Sequence, residues 1–316
     1  MNTHLLTGLL AALGLLANLA GVGEARAQDD PMAGRHGHRH ADFRSDRLHV
    51  RVDGQGPDVI LIPGLSSSPE IWRETVDHLD GWRVHRIHVQ GFAGAPAEGA
   101  AQAGETPTPI AAPVAEEIAR YIREQGLEKP AVVGHSMGGT IGLMLAARHP
   151  DLVGRLMVVD MIPFMGAMFA PPGATAESVA PVADQIWAAQ ANAPRDAYIA
   201  QATASITGMI NTESRREAAL EDMRRSDQKV SAAAFRELVA TDLRPELANI
   251  TAPTEVLYVR FNDARMTPEM TDAIYQAAYA GLPAVRLKRI DDSAHFIMFD
   301  QPQAFQADLD AFLSAK

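Results

Sequence analysis

The sequence predicts an α/β protein: a mostly parallel sheet with helices on both faces and a helical layer inserted late in the chain. Three observations point there. From Arg47 onward, short runs rich in Val, Ile and Leu alternate with helical patterns, and such alternation implies parallel strands joined by crossover helices. One apolar run, Ala131–Gly134, passes directly into Gly-x-Ser-x-Gly and then a helix, a sharp strand–turn–helix junction. Between Met161 and Ile250 the strand signals stop.

The strand patterns lie at 47–53, 58–63, 82–89, 131–134, 155–160, 255–260 and 284–290. Between them, Pro69–Leu79 follows three Ser residues, a good N-cap context. Pro113–Gln125 places Val114, Ile118 and Ile122 on one face and ends before Gly126. Met137–Arg148, Pro268–Ala280 and Pro302–Leu313 are the remaining core helices. Within the insertion, helical patterns near 180–191, 195–207, 215–227 and 231–238 make a layer of its own. A structureless loop of about 90 residues is not expected inside a domain. The resulting organisation is 1–27 signal peptide, 28–45 a flexible His-rich leader linking it to the domain, 46–160 and 251–316 the two parts of the core, and 161–250 a helical cap.

Composition narrows the chemistry. The 316 residues carry 28 Lys plus Arg against 39 Asp plus Glu, a net charge of −11, which argues against a nucleic-acid-binding surface. There is no Cys, so disulfides, thiolate metal sites and a cysteine nucleophile are excluded. Leu5–Gly23 is apolar and precedes Ala25-Arg26-Ala27, a small-x-small triplet. That order predicts a secretory signal cleaved near Ala27 and an exported, periplasmic or secreted, protein. Membrane attachment is expected only if this segment is retained, since it approaches the roughly 20 residues that span a bilayer. His36, His38 and His40 alternate in the linker. Arg interleaves them without a carboxylate framework, so no metal site is expected there.

The chemistry sits at loops that follow strands. Gly134 and Gly138 permit the tight turn that lifts the Ser136 hydroxyl to the start of the next helix, where amides favour negative charge. A serine hydroxyl needs a base, and His295, just beyond the last strand pattern, is the choice. His36, His38 and His40 lie in the linker, His49, His85 and His88 within strand patterns, His78 and His149 on helices, and His135 is adjacent to the nucleophile but turned away from it. The acid that orients the imidazole is Asp263, after the strand at 255–260. Asp160, ending the strand after the nucleophile helix, is second, and Asp291 and Asp292 are too close to His295 along the chain. The oxyanion would take the N–H of Met137 and, from the loop Pro63-Gly64-Leu65-Ser66, that of Leu65.

With these motifs in hand, the chain from about Arg47 to its end resembles the α/β-hydrolase fold serine hydrolases, of the esterase and lipase type with a helical cap. The resemblance rests on Ile62-Pro63-Gly64-Leu65, where the family usually has His-Gly, and on Gly134-His135-Ser136-Met137-Gly138-Gly139. Asn262-Asp263 and Asp292-Ser293-Ala294-His295-Phe296 add to it. Gln90-Gly91-Phe92-Ala93-Gly94 is similar to the family's Arg-Gly-Phe-Gly loop without its Arg, and Pro63 replaces the usual His. The resemblance implies that 46–160 and 251–316 are the two parts of a hydrolase core and that the insertion after Asp160 is the cap.

These residues lead to an expected serine hydrolase that cleaves a small carboxylic ester through an acyl-enzyme and needs no cofactor or metal. Amidase or peptidase, lactonase, carbon–carbon bond hydrolase and perhydrolase chemistry stay open on the same residues, and a non-catalytic binding protein is the reading from another class. Ser at position 136 speaks against dehalogenation by a carboxylate nucleophile. Phe164, Met165, Met168, Phe169 and Trp187 are candidates either to line an apolar pocket or to pack the cap onto the core.

Overall fold

The computed structural model describes residues 43–97, 107–260, 263 and 265–315. The expected signal peptide and the His-rich stretch with His36, His38 and His40 lie outside the described residues. Seven strands form one sheet: β1 (Leu48–Gly54), β2 (Asp58–Ile62), β3 (Arg83–Val89), β4 (Ala131–His135), β5 (Arg155–Val159), β6 (Thr254–Tyr258) and β7 (Arg286–Arg289). Their spatial order is β1-β3-β2-β4-β5-β6-β7. Only β1 runs antiparallel to its neighbour, pairing Leu48 with Val89 at one end and Gly54 with Arg83 at the other. The remaining pairs are parallel, so the strands from β2 to β7 end at one edge.

Strand periodicity divides the core into two. Successive side chains of a strand face opposite sides of the sheet, so Ile60, Ile62, Val132, Leu156 and Val158 fall into one buried cluster. Val59, Leu61, Val133, Met157 and Val159 fall into the other. The first is covered by α2 (Ala111–Gln125) and α3 (Met137–Arg148) through Val114, Ile118, Ile122, Ile141 and Leu145. The second is covered by Trp72 and by Phe305, Leu309 and Phe312 of α10 (Pro302–Ser314). Both faces of the central strands are therefore buried, and in β2, β4 and β5 alternation in polarity gives way to apolar runs. Truncating one such side chain, as in Ile60→Ala, costs about 2–5 kcal/mol.

Smaller elements complete the core. The helix expected at 69–79 is a 3-10 turn, Pro69–Trp72, followed by the short helix α1 (Arg73–His78). Past β6, α8 (Pro268–Ala278) packs beside β7, and the four-residue α9 (Ile297–Asp300) precedes α10.

Between β5 and β6 the chain forms four helices: α4 (Ala176–Asn192), α5 (Arg195–Gly208), α6 (Glu213–Arg225) and α7 (Gln228–Ala240). Of the apolar candidates named for this layer, three attach it to the core and two pack within it. Phe164 is buried beneath the Arg244 guanidinium, 4.5 Å from its ring centre. Met165, Met168 and Trp187 pack against the main core cluster, and Phe169 meets Phe235 edge-on. A carboxylate adds a polar tie. Glu237 of α7 accepts the N–H groups of Ile110 (2.5 Å), Ala111 (2.7 Å) and Ala112 (2.9 Å). Ile110 has no side-chain acceptor for the orphan donors of α2, so the cap supplies one, in favourable register with the helix dipole.

Candidate active site

Loops at the carboxyl edge of the sheet carry the candidate residues, and all but Asp263 converge there. After β4, Ser136 adopts φ 54° and ψ −122°, a conformation that costs a non-glycine residue about 1–3 kcal/mol and is kept only where neighbours enforce it. The enforcement is visible. The Ser136 N–H bonds the Val159 carbonyl at 2.9 Å, and its own carbonyl accepts Gly139 N–H (2.8 Å) and Thr140 N–H (3.2 Å) in the first turn of α3. A Cβ at Gly134 would collide with the Gly138 carbonyl, and one at Gly138 with the Ile62 carbonyl, so both glycines are required by close backbone approach.

The loop after β2 lies against this elbow. A Cβ at Gly64 would stand 3.1 Å from the Cβ of Ser136 and 3.1 Å from Nδ1 of His135. Among the described residues, neither the Leu65 N–H nor the Met137 N–H has an acceptor. Met137 opens α3 directly after Ser136, and Leu65 follows the Gly64 that lies against it, so both amides are candidates for an oxyanion site.

His295 follows β7 and is held from three sides. Its Nδ1 stands 2.6 Å from Oδ2 of Asp160. Its carbonyl accepts the Nε2–H of His135 at 3.0 Å. The neighbouring Ala294 N–H donates to Asp300 at 2.9 Å, a carboxylate that also takes the Asn211 (3.0 Å) and Thr212 (2.8 Å) amides of the cap. His135 is fully buried, and desolvation first, then the nearby His295, pushes its imidazole pKa well below the usual value. It is therefore neutral, its Nε2–H used on the backbone, and its Nδ1 has no partner among the described residues.

The acid is where the sequence reading needs correction. Asp263 does not reach His295. Both its oxygens are taken by Arg265, at 2.9 Å from the backbone N–H, 3.0 Å from Nε and 2.7 Å from Nη2. These bonds, the side-chain ones first, lower its carboxyl pKa to about 2. Asp160, placed second on sequence, is the partner. It follows β5 directly, one residue past the Val159 carbonyl that holds Ser136, and its side chain is 10% exposed. Its Oδ1 accepts the Val259 N–H at 3.1 Å and the Tyr275 hydroxyl at 3.0 Å, leaving Oδ2 for His295.

Tyr275, which the sequence reading did not single out, is the second side chain that meets Asp160. Burial, and then the Asp160 charge, raise its phenol pKa well above the ordinary value, so it remains a donor. Its ring is stacked between Tyr258 (4.0 Å, 18°) and Tyr279 (6.5 Å, 9°). Tyr279 is itself anchored by a 2.6 Å bond to the Met161 carbonyl. The available signal was the four-residue spacing of Tyr275 and Tyr279, which puts both on one face of α8.

Residues 57–302 match the family described as alpha/beta hydrolase fold. The chain belongs to the α/β hydrolase family. This α/β hydrolase is similar to the pimeloyl-[acyl-carrier protein] methyl ester esterase of Vibrio cholerae, 26% identical over 260 residues that span 82% of the chain and 94% of that protein. Among solved structures it is similar to an esterase from Exiguobacterium antarcticum, with a TM-score of 0.66 and 18% identity over 85% of the chain and 96% of the other. It is also similar to the enol-lactonase of Burkholderia xenovorans LB400, with a TM-score of 0.63 and 20% identity over 85% and 96%. At such identities the structural likenesses establish the hydrolase's fold.

Proposed function

We propose that this protein is a serine hydrolase that cleaves a small carboxylic ester through an acyl-enzyme, with Ser136 as nucleophile, His295 as base and Asp160 as the orienting acid. Hydrolase activity follows from the family. The ester reading is supported by the similarity to the Vibrio methyl ester esterase. The observation that carries the mechanism is the 2.6 Å contact between His295 Nδ1 and Asp160 Oδ2. An ionised carboxylate can only accept, so Nδ1 bears the proton and Nε2 keeps a lone pair for the serine.

Nε2 of His295 takes the Ser136 proton as Oγ bonds to the carbonyl carbon, and the carbonyl electrons move onto oxygen. The Leu65 and Met137 amides hold that oxyanion, each such donor contributing a factor of about 10²–10³. The intermediate collapses, the C–O bond to the alcohol breaks, and the imidazolium protonates the departing alkoxide. Water then gives one proton to His295 and attacks the acyl carbon; collapse releases the acid and returns the proton to Ser136.

A fluorophosphonate probe tests this reading. Wild type is expected to label, with Ser136→Ala silent and His295→Ala strongly slowed; a wild type that does not label, or a Ser136→Ala variant that labels equally, overturns it. A chain-length series of p-nitrophenyl esters reports the acyl preference, and a null profile with labelling intact moves the substrate to an amide or a carbon–carbon bond. Export is proposed as well, supported by the apolar run 5–23 and Ala25-Arg26-Ala27. Intact-mass measurement of the secreted protein should give Gln28 as the first residue, and a retained Met1 overturns export by cleavage.

A further inference from the structure

The loop that carries Leu65 contains three consecutive serines, all buried: Ser66, Ser67 and Ser68. Ser66 stands at φ 56°, a left-handed conformation that a serine holds only when its surroundings enforce it. Pro63, at the head of the loop, offers no N–H and no polar side chain. Within the loop itself, Ser67 N–H reaches the Gly64 carbonyl at 3.3 Å and Ser67 Oγ–H reaches the Leu65 carbonyl at 3.4 Å. Both bonds are long.

The shorter bonds come from the cap. Ser231 Oγ of α7 stands 2.8 Å from Ser66 Oγ, and because its own O–H reaches the Asp227 carbonyl at 2.8 Å, Ser66 is the donor. Ser226 Oγ–H is directed to the Asp222 carbonyl (2.8 Å) and, more weakly, to the Ser66 carbonyl (3.3 Å). The same oxygen accepts the Ala93 N–H at 2.8 Å. Asp222 of α6 accepts the Ser68 N–H at 2.7 Å. The turn between α6 and α7 is fixed in turn to the loop after β3, through Gly94 N–H to the Arg225 carbonyl (3.1 Å) and Asp227 N–H to the Gly91 carbonyl (2.8 Å). Val230 packs so closely on Gly91 that a Cβ there would stand 2.8 Å from its side chain.

We propose that the cap is part of the catalytic apparatus, with Asp222, Ser226 and Ser231 acting as positioning residues that hold the loop 64–68 so that the Leu65 N–H stays aligned for the oxyanion. This rests on the serine-hydrolase reading above. It also separates two roles for the insertion. Its apolar residues seal the cap to the core, while its α6–α7 turn sets the geometry of the β2 loop. A loop held this way contributes in the transition state, where negative charge appears on the carbonyl oxygen, and little to ground-state binding.

The test uses the full-length mature protein with Ser231→Ala, Ser66→Ala and the double variant. Steady-state hydrolysis of p-nitrophenyl butyrate is measured together with the affinity for benzeneboronic acid, a mimic of the tetrahedral anion. Each single variant is expected to lower kcat about 10-fold, the scale of one lost buried hydrogen bond, with KM within twofold and the boronate weakened in parallel. The double variant should fall no further than either single one, because both remove the same bond. Fluorophosphonate labelling should still go to completion in each variant, more slowly. The proposal is overturned if kcat is unchanged in both single variants, or if kcat falls without loss of boronate affinity. It is also overturned if the two effects multiply. Should Ser231→Ala not fold, Ser66→Ala and Ser226→Ala, which remove two separate ties to the loop, are each read alone for the same parallel loss of kcat and boronate affinity, and a kcat unchanged in both overturns the proposal. A wild type that fails to label overturns both this inference and the serine-hydrolase reading, whereas a labelled wild type with unaffected variants overturns this inference alone.

Discussion

Asp160 and Asp263 follow neighbouring parallel strands, β5 and β6, and reach opposite fates. Asp160 is mostly buried, its side chain 10% exposed, with its carboxylate shared among an amide, a phenol and an imidazole. Asp263 lies on a turn and is satisfied wholly by Arg265, two residues along the chain. A carboxylate that a local guanidinium already neutralises has no free oxygen with which to steer a distant imidazole. One whose other donors are neutral keeps its charge for the group that becomes positive in the reaction. A carboxylate's function follows from who else claims its oxygens.

That contrast can be broken or sharpened by measurement. The largest effect is expected from Asp160→Asn, which presents an amide to His295, favours the wrong tautomer, and should lower kcat by about 10⁴ with the fold intact; a change below tenfold would return the role to Asp263. Next comes Tyr275→Phe. Removing one neutral donor concentrates charge on Asp160 and favours the protonated imidazole. The variant should lose about 10-fold in kcat, the scale of a hydrogen bond to a charged group, and the acidic limb of its kcat/KM profile should move to higher pH. A purely structural Tyr275 would lower thermal stability and leave that limb in place. Asp263→Asn is expected to stay within about twofold in kcat, as an exposed pair contributes little.

The smallest signal is spectroscopic. With its pKa lowered to about 2 by Arg265, the Asp263 carboxyl should titrate near that value by carbon-13 NMR, and a midpoint near 4 would mean that the Arg265 pairing does not persist in solution. The sign follows from the depression. Whatever stability the pair gives is complete above the unfolded carboxylate pKa and fades as pH falls toward 2, so the acid-unfolding curve should barely move in Asp263→Asn.

The cap shows the same division between near and far in the chain. Its helices were legible as a stretch without strands, and α4 to α7 fall at 176–240 as the patterns at 180–238 suggest. Its polar ties were not legible. Glu237 holds the start of α2 from 125 residues away, and Ser231 meets Ser66 across 165. No periodicity encodes such pairs, because each is a single contact between surfaces that meet only after folding.

The sequence by itself determined the layers, the tight turn at Ser136 and His295 as the candidate base. Those depend on local requirements: period-two burial on strands, glycine at two collisions beside Ser136, and a histidine past the last strand. The order Ser, acid, His in the chain is satisfied equally by Asp160 and Asp263, so it carried no information about which was used. Only the tertiary structure decided the acid, since parallel pairing sets Val159 beside Ser136 and Val259 beside Asp160, and α8 then delivers the Tyr275 hydroxyl to the remaining oxygen lone pairs. Local sterics can be read one residue at a time; the sharing of a carboxylate among donors from the end of β6, from α8 and from the loop after β7 exists only in three dimensions.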